Sequence, residues 1–508
     1  MQDHTTIARH AEPAALPLSR RTMGSARPAV RLPGYDPAAL RTGILHLGCG
    51  AFHRGHQAFV TQRAIEAQGE SGLRWGIASA SLVRDTTPRR LQAQDGLYTL
   101  VERGGDGDRA EIVGAIAAPV HAPSDPLGLP ARLADPDTRL VTLTTTVEGY
   151  LLEPATGRLQ ADHPDVLADL NDAGRPRSVV GTLAAGLAAV RAQGGRPPVI
   201  LSCDNLSANG ATLRRAVADF AALRDDRLAA WIEREVRFPN SMVDRIVPAL
   251  MPEDLDEAQL LTGLRDAAPV FAEPFLQWVI EAFDGERPMW EAGGARFVSD
   301  VEPFETAKLR LLNGSHMLLA YLGGLAGLRT VAETMAAPGF AAFIARFMRA
   351  EQGPTLALPA SELDPYIDQL LTRLGNEAIR HDVARIGRNG SAKVATRLMT
   401  ALRENIEAGR PAPCTVLGIA AWIRWFALRD TSGTEVRLID PAAATFKNTC
   451  ETIGEDFTRQ AEAFLGMEEV FGPPLPDHDG VVRQLSDALL ALHREPVELV
   501  IARLLRDA

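Results

Sequence analysis

Thr42-Gly-Ile-Leu-His-Leu-Gly-Cys-Gly-Ala-Phe-His-Arg-Gly-His-Gln57 is the stretch that decides the fold of the first half of the chain. Its opening, up to Leu47, is an apolar run typical of a buried strand. A glycine turn follows directly, and a helical pattern runs from Ala58 to Glu66. In such a corner the glycines let the backbone approach a phosphate, and the helix N-terminus offers free N–H groups. The stretch therefore predicts a Rossmann-type corner that holds a dinucleotide.

The glycine spacing of this corner departs from the usual G-x-G-x-x-G pattern. Gly48 and Gly50 occupy its first two glycine positions, but His53 stands at the third. An ordinary tight turn explains such a corner about as well as a phosphate site does. The candidate cofactor-binding residues of the turn are Gly48, Gly50, Ala51, Phe52 and Arg54.

A second predicted strand, Trp75 to Leu82, ends near Arg84 and Asp85. In a Rossmann fold an acid after the second strand binds the ribose hydroxyls of NAD, whereas an arginine accommodates the extra phosphate of NADP. Asp85 therefore predicts NAD, but the neighbouring arginine leaves NADP open. A solvated loop carboxylate explains Asp85 equally well.

Two further strands are predicted, at Arg139 to Thr145 and Val199 to Cys203, with a helix at Ser178 to Gln193 between them. This alternation favours an α/β domain with a mainly parallel sheet. Asn205 follows the second of these strands, at the carboxyl edge where such sheets bind ligands. It is a candidate hydrogen-bond donor, and a turn cap that starts the next helix is an equal alternative.

Asp244 and Arg245 stand together among apolar residues, either as a structural ion pair or as part of a site. Residues 1–38 lack periodicity and predict a loosely ordered N-terminal extension. We expect a Rossmann-type dinucleotide-binding domain over 39–298 and a mostly α-helical C-terminal domain over 299–508. Helical patterns in the latter cover 305–328, 330–350, 361–374, 376–387, 391–408, 412–428, 441–446, 455–466 and 480–507.

The helical domain is organised around Glu305-Thr-Ala-Lys-Leu-Arg-Leu-Leu-Asn-Gly-Ser-His-Met-Leu-Leu-Ala-Tyr321. The pattern predicts a helix that is apolar nearly all round and therefore buried. At about 100° per residue, with Lys308 at zero, Glu305, His316 and Asn313 fall at about 60°, 80° and 140°. Burying these polar groups on one side costs free energy unless something polar binds between them. The helix therefore predicts a site.

Each polar residue of this helix also has an ordinary structural explanation. A single lysine in an apolar helix is usually a surface residue whose amine reaches solvent. Asn313-Gly314 is usually a turn or helix break, and His316 is usually a hydrogen-bonded core histidine. Together with the glycine corner they favour a site. A buried lysine has its pKa lowered towards neutral pH, which makes Lys308 a candidate general base.

Composition excludes several other classes of function. A net charge of -11 over 508 residues argues against nucleic-acid and anionic-membrane partners. The four cysteines are far apart, so neither a disulfide framework nor a cysteine zinc site is expected, and we predict no metal. The longest apolar run has about a dozen residues, too short to cross a membrane, and no secretory pattern opens the sequence. We therefore expect a cytoplasmic protein.

Four motifs taken together resemble the polyol-specific long-chain dehydrogenases, a family that includes mannitol 2-dehydrogenase and fructuronate reductase. The motifs are Gly48-x-Gly-x-Phe-His-Arg54, Asp204-Asn205, Met242-Val-Asp-Arg245 and Lys308-x4-Asn313-x2-His316. The resemblance extends from about residue 40 to beyond residue 430. It implies a Rossmann-type domain, a helical domain, an active site in the cleft between them, NAD-type hydride transfer without a catalytic metal, and a monomer.

The resemblance also implies a role for each matching residue. Lys308 is the implied acid–base group, and Asn205 and Asn313 bind the oxygen that becomes anionic. His316 orients the substrate and Glu305 relays protons to the lysine. Asp244 matches another site residue, and Arg385 and Lys393 match a basic pair that contacts the substrate. Two segments depart from the family pattern, namely Thr146-Val-Glu-Gly-Tyr150 and the segment around Asn389.

We expect a dehydrogenase that interconverts a keto-sugar acid or ketose with the corresponding aldonate or polyol. Reduction of fructuronate is favoured over oxidation of mannitol, although Arg385 supports the oxidation of mannitol. A carboxylate-bearing substrate needs a basic partner, and Arg385, Lys393 or Arg245 can serve. The alternative from another class is a protein of the same fold that binds NAD(H) and senses redox state or a sugar acid without turnover.

Overall fold

The computed structural model describes residues 15–153, 156–172, 174–379, 381–427 and 439–506. The chain divides into two compact units, Met1–Ser299 and Asp300–Ala508, which we call the N-terminal unit and the C-terminal unit. The boundary expected at residue 298 lies next to this division.

The N-terminal unit contains thirteen strands among its described residues. They are β1 (Leu16–Pro17), β2 (Thr42–Leu47), β3 (Gly76–Ser81), β4 (Tyr98–Glu102), β5 (Arg109–Val113), β6 (Ile116–His121), β7 (Leu140–Leu143), β8 (Val199–Ser202), β9 (Ser241–Asp244), β10 (Leu264–Arg265), β11 (Val270–Ala272), β12 (Gln277–Glu281) and β13 (Ala295–Val298). Its α-helices are α1 (Ala51–Gly55), α2 (Gln57–Gln68), α3 (Thr86–Ala93), α4 (Leu129–Leu133), α5 (Pro164–Asn171), α6 (Val179–Ala192), α7 (Asn209–Ala222), α8 (Asp226–Glu235) and α9 (Pro252–Thr262).

The main sheet of this unit has the strand order β6-β3-β2-β7-β8, and every pair in it is parallel. Apolar side chains cover both of its faces, in one cluster that includes Leu45 and Leu183 and another that includes Ile44 and Ala64. Because both faces are buried, its strands are continuous apolar runs rather than alternating ones. The predicted α/β Rossmann-type fold with a mainly parallel sheet is confirmed.

Two smaller sheets in this unit were not predicted from the sequence. One has the order β11-β4-β5 and the other β13-β12-β9. The antiparallel pairing of β9 with β12 places Asp244 opposite Gln277. Asp244 therefore ends a strand outside the main sheet.

The expectation of a loosely ordered extension over 1–38 is wrong for residues 15–38, while residues 1–14 lie outside the described residues. β1 pairs in parallel with β10, and the Leu18 N–H donates to the Arg265 carbonyl at 2.9 Å. Leu18 and Val30 pack against Leu97 and Ile112. A few apolar residues, too sparse to show a period, hold this segment in place.

The C-terminal unit contains helices and no strand among its described residues, so the predicted α-helical domain is confirmed. Its α-helices are α10 (Glu302–Ala307), α11 (Gly314–Leu325), α12 (Val331–Ala336), α13 (Phe340–Arg346), α14 (Ala360–Leu374), α15 (Val383–Ile386), α16 (Thr400–Glu407), α17 (Pro413–Trp425), α18 (Ala443–Ile453), α19 (Phe457–Leu465), α20 (Glu468–Phe471), α21 (His478–Arg494) and α22 (Val497–Arg506). No helix among the described residues is both long and apolar enough to cross a membrane.

Four predicted helices differ from the structure, one of them, at 441–446, because the observed α18 extends to Ile453. The patterns at 330–350 and 480–507 are each divided, because Pro338 and Pro496 cannot donate the next helical hydrogen bond. The pattern at 376–387 is helical only over α15. The unit also contains three π-helical segments in its described part, namely Lys308–Asn313, Phe347–Gln352 and Ala395–Met399. The first contacts both of the others.

Candidate active site

The glycine turn after β2 is tight at Gly48. Its φ of 117° lies in the region that favours glycine, and its N–H donates to the Ala80 carbonyl at 2.8 Å. A Cβ at Gly48 would overlap the Thr144 carbonyl oxygen at the end of β7. The turn therefore requires glycine at this position, whatever it binds.

The second glycine of the turn leaves room for a ligand. A Cβ at Gly50 would meet nothing closer than the Gly48 carbonyl oxygen at 3.9 Å. No side chain caps α1, which begins directly after Gly50 with half-buried Ala51 and Phe52. The first N–H groups of a helix lack intrahelical acceptors. Open space beside uncapped N–H groups at the carboxyl end of a central strand fits the phosphates of a dinucleotide.

Arg54 supports this turn from inside the protein. Its guanidinium donates to the Gly50 carbonyl at 3.2 Å and to the Ala268 carbonyl at 2.5 Å, and it lies over the Tyr98 ring. Its buried side chain is therefore engaged by the protein, although its position in the motif made it a candidate for cofactor binding. His53, at the third glycine position, is fully buried and stacks on His46 of β2 at 3.4 Å.

Asp85 lies beyond β3, which is the neighbour of β2 in the main sheet. Its carboxylate pairs with Arg89 one turn along α3, at 2.8 Å. This is the position of the ribose-binding acid of a Rossmann fold, and Arg84 beside it is exposed.

Asn205 follows β8 and is exposed. It does not cap the next helix, because α7 begins at Asn209 with Ala208 as its N-cap residue. The residue before it, Asp204, is 5% exposed and accepts hydrogen bonds from the Tyr150 hydroxyl at 2.8 Å and Thr145 Oγ1 at 3.2 Å. Asn209 Nδ2 donates to the Asp204 carbonyl at 3.0 Å. These buried bonds fix the turn that carries Asn205.

Burial raises the pKa of Asp204 to about 6, although the hydrogen bond from Tyr150 favours the carboxylate. The folded protein therefore holds this proton at a pH where the unfolded chain has lost it. The contribution of Asp204 to stability is thus lost as pH rises from about 4 to about 6.

Replacing Asp204 by asparagine removes this titration and keeps a side-chain oxygen for Tyr150. We expect the stability of Asp204→Asn relative to the parent protein to increase between pH 4 and 7, by on the order of 1–3 kcal/mol. Urea unfolding at several pH values measures this difference, with exposed Asp162→Asn as the control. A difference that does not change with pH would contradict the assignment.

Asp244 is buried at the end of β9, but it is not the ion-pair partner of Arg245. The Arg245 guanidinium pairs with Glu102 and donates to the Glu273 carbonyl at 2.9 Å and the Gly55 carbonyl at 2.6 Å. With all of these acceptors inside the protein, Arg245 is a structural residue. It is therefore a poor candidate for binding a substrate carboxylate.

Lys308, Asn313, His316 and half-buried Glu305 lie along one helical rod formed by α10, the first π segment and α11. Lys308 is 8% exposed, so the alternative of a surface lysine is wrong. Asn313 has helical backbone angles and leads straight into α11, so the alternative of a helix break at Gly314 is also wrong.

The π segment changes the predicted angles along this rod. A π turn closes its hydrogen bonds between residues i and i+5 instead of i and i+4. Asn313, five positions after Lys308, therefore comes nearer to the lysine around the axis than the regular spacing predicted. Such single π turns often occur at functional sites.

His316 is not a hydrogen-bonded core histidine. Its Nε2 is buried and has no hydrogen-bond partner among the described residues, and its ring meets the edge of His381 at 4.7 Å. Burial, followed by the charges of His381, Arg397 and Arg373, lowers its pKa well below the usual range. His316 is thus a neutral imidazole whose buried nitrogen is available to a ligand.

The predicted basic pair lies in the segment before the third π segment. Arg385 is exposed at the end of α15, and its charge lowers the pKa of His381. Lys393 is half-buried and donates to the Arg388 carbonyl. Burial, with the nearby charge of Arg397, lowers the pKa of Lys393 to about 8. Arg397 could not be predicted from the sequence as a site residue, because one arginine in a helical pattern carries no signal of its own.

The described residues contain no group of three or more His, Cys, Asp or Glu side chains that could hold a metal ion.

Comparison with known proteins decides the family. Residues 42–292 match the family profile described as the mannitol dehydrogenase Rossmann domain, and residues 300–493 match the mannitol dehydrogenase C-terminal domain. The chain belongs to the mannitol dehydrogenase family. The resemblance predicted from four short motifs is confirmed, and with it the prediction of an oxidoreductase.

Members of the mannitol dehydrogenase family that are named for different activities are similar to this chain at nearly equal levels. D-mannonate oxidoreductase of Escherichia coli is 37% identical over 90% of this chain and 95% of that protein. Mannitol dehydrogenase 2 of Saccharomyces cerevisiae is 37% identical over 94% of this chain and 95% of that protein. The mannitol 2-dehydrogenase of Pseudomonas fluorescens, solved with NAD and D-mannitol, has 35% identity and a TM-score of 0.83 over 97% of this chain and 100% of its own.

Proposed function

We propose that this chain is an NAD-dependent reductase of a keto-sugar acid, which converts D-fructuronate to D-mannonate. The observation that carries the proposal is the buried Lys308, which shares one helical rod with Asn313 and with a His316 whose Nε2 lacks a partner among the described residues. The 37% identity to D-mannonate oxidoreductase supports a sugar acid as a substrate class, and the equal identity to mannitol dehydrogenase 2 supports a polyol as the second candidate.

The proposed chemistry assigns one task to each residue. Bound NADH supplies the hydride that adds to the carbonyl carbon of the substrate. The Lys308 ammonium gives its proton to the carbonyl oxygen as negative charge develops there. Asn205 and Asn313 donate hydrogen bonds to that oxygen, as preorganised donors do in oxyanion holes. His316 orients the substrate.

The remaining predicted residues have supporting roles in this proposal. Glu305 returns a proton to Lys308, Asp244 and Arg385 contact the sugar, and Lys393 adds positive charge beside it. The N–H groups after Gly50 bind the pyrophosphate of NAD and Asp85 binds a ribose. The four free cysteines are all buried, which supports a cytoplasmic protein, and we propose a monomer.

Oxidation of mannitol is the second candidate, supported by the similarity to mannitol 2-dehydrogenase of Pseudomonas fluorescens. A panel of fructuronate, tagaturonate, fructose and xylulose, each with NADH and NADPH, distinguishes the candidates. We expect turnover with fructuronate and NADH. Activity confined to fructose would favour the second candidate, and NADH binding without any turnover would favour a sensor.

A further inference from the structure

The three π segments of the C-terminal unit each carry an arginine, and one of the three has no partner among the residues that the structure describes. Arg310 pairs with Glu404 at 2.7 Å and also donates to the Thr355 carbonyl at 2.9 Å. Arg349 pairs with Asp368 at 2.5 Å. The Arg397 guanidinium has no hydrogen bond or ion pair with any described residue, and its side chain is half-buried. A half-buried guanidinium without a partner among the described residues keeps its donors available to an anion.

Arg397 lies against the rod that carries the candidate catalytic residues. A Cβ at Gly314, two residues before His316, would meet the Arg397 carbonyl oxygen at 3.4 Å. The Arg397 N–H donates to the Lys393 carbonyl at 3.1 Å, so the two basic residues share one turn. The close approach at Gly314 brings this turn to the start of α11.

The surroundings of Arg397 are positively charged. Its charge lowers the pKa of both His316 and Lys393, and Arg373 also acts on His316. Burial lowers the pKa of Arg397 itself to about 10, so it remains a cation at neutral pH.

Two carboxylates that act on this cluster, Asp440 on Lys393 and Asp382 on His381, accept hydrogen bonds from other groups. Asp440 accepts hydrogen bonds from the Ser391 hydroxyl at 2.5 Å and from the Ala442 N–H at 2.9 Å. Asp382 accepts from the Arg385 N–H at 2.7 Å. Neither forms an ion pair with Arg397, so neither neutralises its charge directly.

We propose that Arg397 determines substrate specificity by binding the carboxylate of a sugar acid at the His316 site. A planar guanidinium matches a carboxylate with two parallel hydrogen bonds. A neutral ketose would leave this charge without a carboxylate partner. The proposal rests on the proposed function and adds the residue that selects acids over neutral sugars.

The test compares fructuronate with fructose, which has a hydroxymethyl group in place of the carboxylate. We expect Arg397→Gln to lower kcat/KM for fructuronate roughly 10- to 100-fold, mainly through KM, because a hydrogen-bonded charge is lost. The value for fructose should stay within about twofold. Arg397→Lys, which keeps the charge but not the two-point geometry, should give an intermediate loss for fructuronate alone.

Arg483→Gln removes the same charge from the exposed face of α21 and should leave both substrates unaffected. NADH binding, followed by fluorescence, should be the same in all variants. An equal loss with both substrates, or no loss with fructuronate, would overturn the role of Arg397 while leaving the proposed function in place. If Arg397→Gln does not fold, Arg397→Lys decides by the same comparison. If the unmodified protein reduces neither fructuronate nor tagaturonate, the proposed function itself is overturned.

Discussion

Replacing Lys308 by alanine is expected to lower turnover roughly 10²- to 10⁴-fold and to leave NADH affinity unchanged. The reason is that Lys308 is proposed to give the proton that the developing alkoxide needs. No other lysine is close in sequence, since the chain contains only Lys393 and Lys447 besides it. Steady-state kinetics with fructuronate measures the turnover, and NADH fluorescence titration measures the affinity.

The control for this prediction is Lys447→Ala, which removes an outer lysine that pairs with Glu451 at 3.8 Å. Lys308→Met keeps most of the side-chain volume, so it separates the loss of the amine from the loss of packing. Both Lys308 variants should lose turnover to a similar extent. Near-normal turnover in either one would show that another group supplies the proton.

Replacing Gly48 by alanine is expected to abolish NADH binding and to lower the free energy of unfolding by more than about 1 kcal/mol. The added Cβ would overlap the Thr144 carbonyl oxygen while the backbone holds a φ of 117°. The turn after β2 must then shift, and the N–H groups that follow it shift too. Urea unfolding and NADH titration measure the two effects.

Two other glycines separate the causes of this effect. Gly69→Ala tests the strain of a positive φ alone, because its φ is 59° and nothing lies within 4 Å of its Cβ position. Gly50→Ala should fold normally, since its Cβ position is open, and yet bind NADH more weakly because the methyl group enters the proposed phosphate space. Normal NADH binding by both Gly48→Ala and Gly50→Ala would place the dinucleotide elsewhere.

The strands of the main sheet could be predicted because each is a continuous apolar run that ends in a turn. The strand at Thr42–Leu47 has the predicted limits. Asn205 could be proposed for the same reason, since the carboxyl end of a parallel strand is a ligand edge whatever else the fold contains. The ordered structure of residues 15–38 could not be predicted, because isolated apolar residues such as Leu18 form no periodic pattern.

Neither the π turn nor the lack of a described partner for Arg397 could be predicted from the sequence. A rod buried on nearly every side shows the same apolar pattern with a wider turn as with a regular one, so the pattern of residues 305–321 does not reveal the π turn. An arginine with a partner and one without a partner look identical in a sequence. Arg310 and Arg397 differ only in three dimensions, where Glu404 meets the first and no described carboxylate pairs with the second.

The ratio of kcat/KM for fructuronate to that for fructose, measured with NADH on the unmodified protein, tests the central claim most directly. If Lys308 is the acid–base group and Arg397 binds the substrate carboxylate, we expect this ratio to exceed roughly 10. The free energy of one charge-assisted hydrogen bond corresponds to at least a tenfold difference in kcat/KM. A ratio at or below one, with NADH still oxidised by fructose, would contradict the claim that this oxidoreductase acts on a sugar acid.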